Sequence, residues 1–161
     1  MNNNKLSELE KFREVMINSC VTAGAELNKL FLSRSFSSAT KSNNELVTGA
    51  DIISENILIQ SLSNYNFNII SEECGKIDHD SDYTFIIDPL CGTVNFAKNI
   101  GHSAISIALQ YNSQIIVGVV YDFIRNDIYS AILNKGSFIN EKKIYLSNST
   151  NNITRALICI S

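Results

Sequence analysis

The run Phe85-Ile86-Ile87-Asp88-Pro89-Leu90-Cys91-Gly92-Thr93-Val94-Asn95-Phe96 closes an apolar segment on a carboxylate, then turns through a glycine beside a hydroxyl. A second apolar segment, Phe67-Asn68-Ile69-Ile70, ends on Ser71-Glu72-Glu73. Two such strand ends can bring acidic oxygens to one place, and hard oxygen ligands suit Mg²⁺. The chemistry this favours is metal-assisted work on a phosphate ester. Hydrolysing a monoester needs a water made nucleophilic at neutral pH, with positive charge set against the phosphate and the leaving alkoxide; paired cations supply both. Asp88 could bridge such cations, Glu72 could hold the one that activates water, and the Leu90 carbonyl could complete its shell. The amides of Gly92 and Thr93, at a helix start, could cradle phosphate. Pro89, the single proline, fixes φ just after the acid and so stiffens the turn. Taken singly, these elements are ordinary: Glu72-Glu73 reads as a solvated strand end, Asp88-Pro89 as a turn, Lys41 as a loop cation, and Thr48 with Asp51 as a helix cap. Their order along the chain carries the weight.

The elements that must position these groups are legible as periodicities. Leu6, Leu9, Phe12, Met16, Cys20, Ala23, Leu27 and Leu30 recur at helical spacing, which predicts a helix over residues 5–33 with Ser7 and Glu10 as its capping box. Ser33 to Asn44 reads as a loop, and Thr48-Gly49-Ala50-Asp51 opens a second helix through Ile53, Ile57, Leu58 and Leu62. From Phe67 the pattern becomes strands at 67–71, 83–88, 103–111, 115–123, 127–133 and 142–146, broken by turn residues such as Asn112-Ser113 and Asn140-Glu141. The expected class is α+β: two N-terminal helices packed on one face of an antiparallel sheet. Residues 1–147 form that unit, and 148–161 read as a linker followed by the apolar strand Ala156-Leu157-Ile158-Cys159-Ile160. An unpaired edge of that kind invites self-association or a partner.

Composition sets the outer bounds. A chain of 161 residues, 45% hydrophobic, can bury one sizeable core. Thirteen basic against 16 acidic residues give a net charge of −3, and no Lys/Arg cluster makes a footprint for direct nucleic-acid binding. The longest apolar run, Ile115 to Tyr121, is far below the ~20 residues that span a bilayer. Cys20, Cys74, Cys91 and Cys159 are scattered and the N-terminus is polar, which predicts a reduced, cytoplasmic setting. Cys20 and Cys159 read as buried packing residues and Cys74 as a turn residue, while His79 and His102 are isolated.

Lys41, then Val47-Thr48-x-x-Asp51, then Ser71-Glu72-Glu73, then the Asp88-to-Phe96 run together resemble the signature of the inositol monophosphatase family. The likeness extends from about residue 5 to residue 161, and Gly118-Val119-Val120-Tyr121-Asp122 with Arg125-Asn126 looks like bacterial members. The resemblance implies the N-terminal half of an αβαβα sandwich and Mg²⁺-dependent hydrolysis of a small phosphate monoester, with inositol-1-phosphate foremost. It implies Glu72, Asp88 and the Leu90 carbonyl as ligands of a first Mg²⁺. Thr93 and Asp51 would position the attacking water, Gly92 and Thr93 would face the phosphate, Lys41 would lie on a mobile loop and Glu73 would be a supporting carboxylate. Members are usually lithium-inhibited homodimers. At the position of Cys91 the family carries a second-metal Asp, and a mostly protonated thiol is a poor ligand for a hard ion. Relatives also extend well beyond this chain, so weak or lost turnover is expected. A non-catalytic interaction module, since some bacterial relatives are tied to the transcription machinery, and one half of a split phosphatase stand as alternatives. A softer ion such as Zn²⁺ beside Asp88 is a further option.

Overall fold

The computed structural model describes residues 3–40 and 46–145. In chain order the elements are α1 (Asn3–Ser33), β1 (Ser38–Thr40), β2 (Leu46–Thr48), α2 (Gly49–Leu62), β3 (Asn68–Ser71), β4 (Gly75–Ile77), β5 (Tyr83–Cys91), α3 (Thr93–Ala97), β6 (Ala104–Tyr111), β7 (Gln114–Asp122), β8 (Asp127–Ile132), β9 (Gly136–Ile139) and β10 (Lys142–Ile144). A 3-10 turn at Ser63–Tyr65 follows α2. Lys41, the tail 148–161 and Cys159 lie outside the described residues.

Helices α1 and α2 pack against each other and onto one face of an eight-stranded sheet ordered β10-β9-β8-β7-β6-β5-β3-β4. The α+β reading holds, with one refinement. The sheet is mixed: β3 pairs parallel with β5, because β4 returns along the outer side of β3 and leaves its inner edge to β5. Every other neighbouring pair is antiparallel. The predicted strand at 142–146 is the shorter β10. β1 pairs with β2 within the predicted 33–44 loop region and just beyond it, the helix start expected at Gly92-Thr93 is the one-turn α3, and β4 and β9 were not anticipated.

The core follows from the predicted periodicities. Along α1, Leu9, Phe12, Met16, Cys20, Ala23, Leu27 and Phe31 are buried at steps of three and four residues. They meet the alternate sheet residues Phe85, Ile87, Ile105, Ile107, Leu109, Val117, Val119 and Tyr121, all buried. Gly24 lets α1 lie close on β7, since a Cβ there would come within 2.5 Å of Tyr121 Cε1 and 2.9 Å of Phe123 Cβ. The predicted Ser7/Glu10 capping box does not form: α1 is already helical from Asn3, and Glu10 instead pairs with Lys135 across to the sheet. Arg13 ties the same helix down, its Nε donating to Ser130 Oγ at 2.8 Å and its guanidinium pairing with Glu141 at 2.5 Å.

The hairpin turns obey their residues. Asn112 and Ser113 both have positive φ (44° and 65°), as do Asn140 and Glu141 (45° and 67°), the left-handed pair that two-residue hairpins require. The opposite sheet face carries Ile86, Ala108, Val120, Tyr129, Ala131 and Phe138 around a shallow cavity of about 520 Å³, with Tyr129 and Val120 about 40% exposed. No described helix is long and apolar enough to cross a membrane.

Candidate functional site

The site lies where the C-terminal ends of β3 and β5 meet the N-terminal end of α2. Parallel pairing of β3 with β5, in register Ser71 with Ile87, brings Glu72, just past the end of β3, alongside Asp88 on β5. Asp88 then shares a face with Cys91, although residues three apart on a regular strand point to opposite faces. A one-residue bulge makes the difference: Asp88 pairs with Ser106 and Cys91 with Ala104, so residues 89 and 90 of β5 stand against the single residue 105 of β6. Pro89 sits inside that bulge, where its missing N–H removes no ladder bond. Leu90 turns its side chain into the core at 1% exposure while its N–H donates to Asp88 Oδ1 at 3.2 Å.

Asp51 is 1% exposed and wholly occupied. Its Oδ2 accepts from Thr48 N at 2.8 Å and from Thr48 Oγ1 at 2.6 Å, which completes the capping box that opens α2. Its Oδ1 faces Thr93 Oγ1 at 2.9 Å, and the same hydroxyl lies 3.1 Å from the Leu90 carbonyl. A hydroxyl has one proton, so Thr93 serves one of these acceptors at a time. Gly92 holds the turn before it at φ 86°, and a Cβ there would sit 2.9 Å from the His102 carbonyl; only glycine meets both demands. Beyond the turn, Phe96 is fully buried against Phe31, Phe36 and Phe123 and anchors α3 to the core.

Charge in the site is concentrated around Asp88. Burial pushes its carboxyl above the ordinary value, hydrogen bonds from the Cys91 thiol and Leu90 N–H and a contact with Glu72 pull it back, and the Asp51 charge adds to the rise. The Cys91 thiol is pushed up by partial burial and then by Asp88 and Glu72, so it is a thiol at neutral pH. Cys74 is raised by burial and by Glu55.

Of the residues singled out from the sequence, Glu72, Asp88, Cys91, Leu90, Thr93 and Asp51 form one connected group. Gly92 lies in its turn and Glu73 follows Glu72 on the β3–β4 connection. Lys41 lies outside the described residues. Among the described residues no three His, Cys, Asp or Glu side chains form a ready-made metal cage. The donor set does fit a hard divalent cation that keeps open positions, since Mg²⁺ is usually held by one or two carboxylates with water and phosphate oxygens. Beside Asp88, Cys91 offers a thiol, a poor ligand for a hard cation.

Three contributors escaped the sequence reading. His102 lines, with Cys91, Gly92, Asn95, Ser103 and Asp122, a cleft of about 380 Å³ beside the turn. Ser54 Oγ, fully buried, donates to the Pro89 carbonyl at 2.6 Å, and the buried Glu55 accepts from the turn that carries Glu72. The signal for the last two was present, because residues 51, 54 and 55 share one helical face.

The inositol monophosphatase family model matches residues 8–161. The chain belongs to the inositol monophosphatase family. Within it, a Nus factor SuhB of Pasteurella multocida is 40% identical over 111 residues, which cover 67% of this chain and 42% of that protein. A fructose-1,6-bisphosphatase/inositol-1-monophosphatase of Methanocaldococcus jannaschii is 38% identical over 104 residues, 64% of this chain and 41% of that protein. The crystal structure of an extragenic suppressor protein suhB from Bartonella henselae superposes with a TM-score of 0.80 at 32% identity, covering 84% of this chain and 54% of that one. The chain therefore spans about two-fifths of the curated relatives' length and about half of the solved structure's. Its fold is the family's phosphatase fold, with two helices on a mixed sheet.

Proposed function

We propose that this chain is the cation-binding half of a Mg²⁺-dependent phosphatase acting on a small phosphate monoester, with inositol-1-phosphate the first substrate to try, in the cytoplasm. The observation that supports it most is the convergence of Glu72 and Asp88 beside the Thr93 hydroxyl, itself held by Asp51. Glu72, Asp88 and the Leu90 carbonyl would hold the ion. When bound, a divalent cation lowers the pKa of a coordinated water and offsets charge on the phosphate. Thr93 then orients the attacking water, with its proton directed to Asp51 Oδ1 or to the Leu90 carbonyl. The Gly92 and Thr93 amides, left without intrahelical acceptors at the start of α3, face the phosphate, and Glu73 supports the acidic side.

Cys91 sets the expected level of activity. A protonated thiol cannot replace a carboxylate opposite the leaving oxygen, and losing one such electrostatic contact typically costs on the order of 10²–10³ in rate. The bare apolar face beside Asp88 supports a complementary half or a second copy as partner. A second reading, a non-catalytic interaction module, is favoured by Cys91 and by the relatives called Nus factors. Phosphate release from inositol-1-phosphate in Mg²⁺, by the native chain and by Cys91→Asp with folding checked by circular dichroism, separates the two. Turnover that rises in Cys91→Asp and is lost in chelator supports the phosphatase; silence of both proteins, alone and with a complementary half, supports the module.

A further inference from the structure

Helix α2 reaches both acidic strand ends from adjacent residues. Ser54 Oγ donates to the carbonyl of Pro89, the residue after Asp88, at 2.6 Å. Glu55, 4% exposed, turns the other way, and its Oε1 accepts from Ser71 Oγ, from Glu73 N at 3.1 Å and from Cys74 N at 3.1 Å. These three donors bracket Glu72 on both sides in the chain, so the turn that presents Glu72 is wrapped around one buried oxygen. Asp51, one turn earlier on the same helix face, holds Thr93. Burying an acidic group is costly unless it is well hydrogen-bonded, and an apolar residue at position 55 would close a helix–sheet contact at less cost. What an apolar residue could not do is accept from two backbone N–H groups and a hydroxyl of that turn.

We propose that Glu55 is a positioning residue: by holding the Ser71–Cys74 turn against α2, it sets where Glu72 stands relative to Asp88 and thereby tunes the affinity of the site for a divalent cation. The proposal rests on the reading of Glu72 and Asp88 as cation ligands, and the test keeps the two apart. It uses the full chain with Mn²⁺ as the probe, free Mn²⁺ being counted by electron paramagnetic resonance, in Glu55→Ala, Glu55→Gln, Ser71→Ala and Glu72→Gln, each checked for folding by circular dichroism. Amide exchange of Glu73 and Cys74 is followed by NMR without metal.

Glu55→Ala is expected to weaken Mn²⁺ binding about 10–100-fold, the usual effect of losing a group that orients a ligand. Glu55→Gln keeps an acceptor oxygen and is expected to restore most of that loss. The Glu73 and Cys74 amides are expected to exchange faster in Glu55→Ala. Should Glu55→Ala fail to fold, Ser71→Ala, which removes one of the donors, is expected to weaken Mn²⁺ binding to a smaller extent. Unchanged Mn²⁺ affinity in folded Glu55→Ala, or in Ser71→Ala if that is the variant available, overturns the proposal when Glu72→Gln does lose affinity. Unchanged affinity in Glu72→Gln itself would instead sink the cation reading and, with it, the tuning of affinity by Glu55.

Discussion

Asp51 offers a perturbation in which stability and function are expected to part. The residue is 1% exposed and its two oxygens meet Thr48 N, Thr48 Oγ1 and Thr93 Oγ1 at 2.8, 2.6 and 2.9 Å. In Asp51→Ala the Thr48 side-chain cap on Ala50 N stays, but the buried Thr48 N–H loses its acceptor, about 1–3 kcal/mol. The two hydroxyls can turn, Thr93 to the Leu90 carbonyl at 3.1 Å, so they add little. A loss of about 2 kcal/mol, the middle of that range, corresponds to a fall of roughly 1 M in the urea midpoint if m is near 2 kcal/mol/M. Asp51→Asn behaves differently. Its side-chain oxygen can take the Oδ2 role, and its NH₂ can donate to Thr93, whose hydroxyl then serves Leu90. Its cost is about 1 kcal/mol, a shift of roughly 0.5 M. The same amide can no longer accept the Thr93 proton, so phosphate release is expected to fall about 10²–10⁴-fold, measured in whichever background, native or Cys91→Asp, turns over. Equal urea midpoints for the Ala and Asn variants, or full turnover in Asp51→Asn, would refute this reasoning.

Two other perturbations bear on the fold and the site. Gly24→Ala, which at an open helix position gains up to about 1 kcal/mol, is expected to lose about 1–3 kcal/mol here, because the new methyl meets Tyr121 Cε1 at 2.5 Å; urea unfolding reads the sign. Burial raises the Asp88 pKa in the folded chain, so the folded state binds the proton more tightly than the unfolded one, and in chelator stability falls as pH rises through the folded pKa. Asp88→Asn is accordingly expected to have the higher metal-free midpoint at pH 7, with the difference closing below about pH 4, where the unfolded carboxyl is also protonated; a difference independent of pH would contradict the assignment.

Much of this was legible in the residues, and what was not has a physical reason. The α1 stripe from Leu9 to Leu27 and the Thr48/Asp51 cap are local patterns, and the structure has both. Asp88, Leu90 and Thr93 lie within one turn, so their proximity was implied by sequence alone. The parallel pairing of β3 with β5 was not legible, since pairing direction is a tertiary choice made when β4 folds back on β3. The three-residue β4 and β10 are largely exposed and leave no period-2 signature, though the turn residues Asn140 and Glu141 marked the last of them. Ser7 and Glu10 matched a capping box but lie inside α1, a reminder that the spacing recurs by chance in a long polar helix face. Ser54 and Glu55 share the Asp51 face of α2, a signal legible in the spacing, but which strand ends they hold shows only in their partners Pro89, Ser71, Glu73 and Cys74.

Isothermal titration of Mg²⁺ into the native chain, Glu72→Gln and Asp88→Asn tests the central claim most directly. Saturable binding is expected for the native chain and a loss of at least about tenfold in each variant, with circular dichroism unchanged. Equal Mg²⁺ affinity in all three proteins would contradict it.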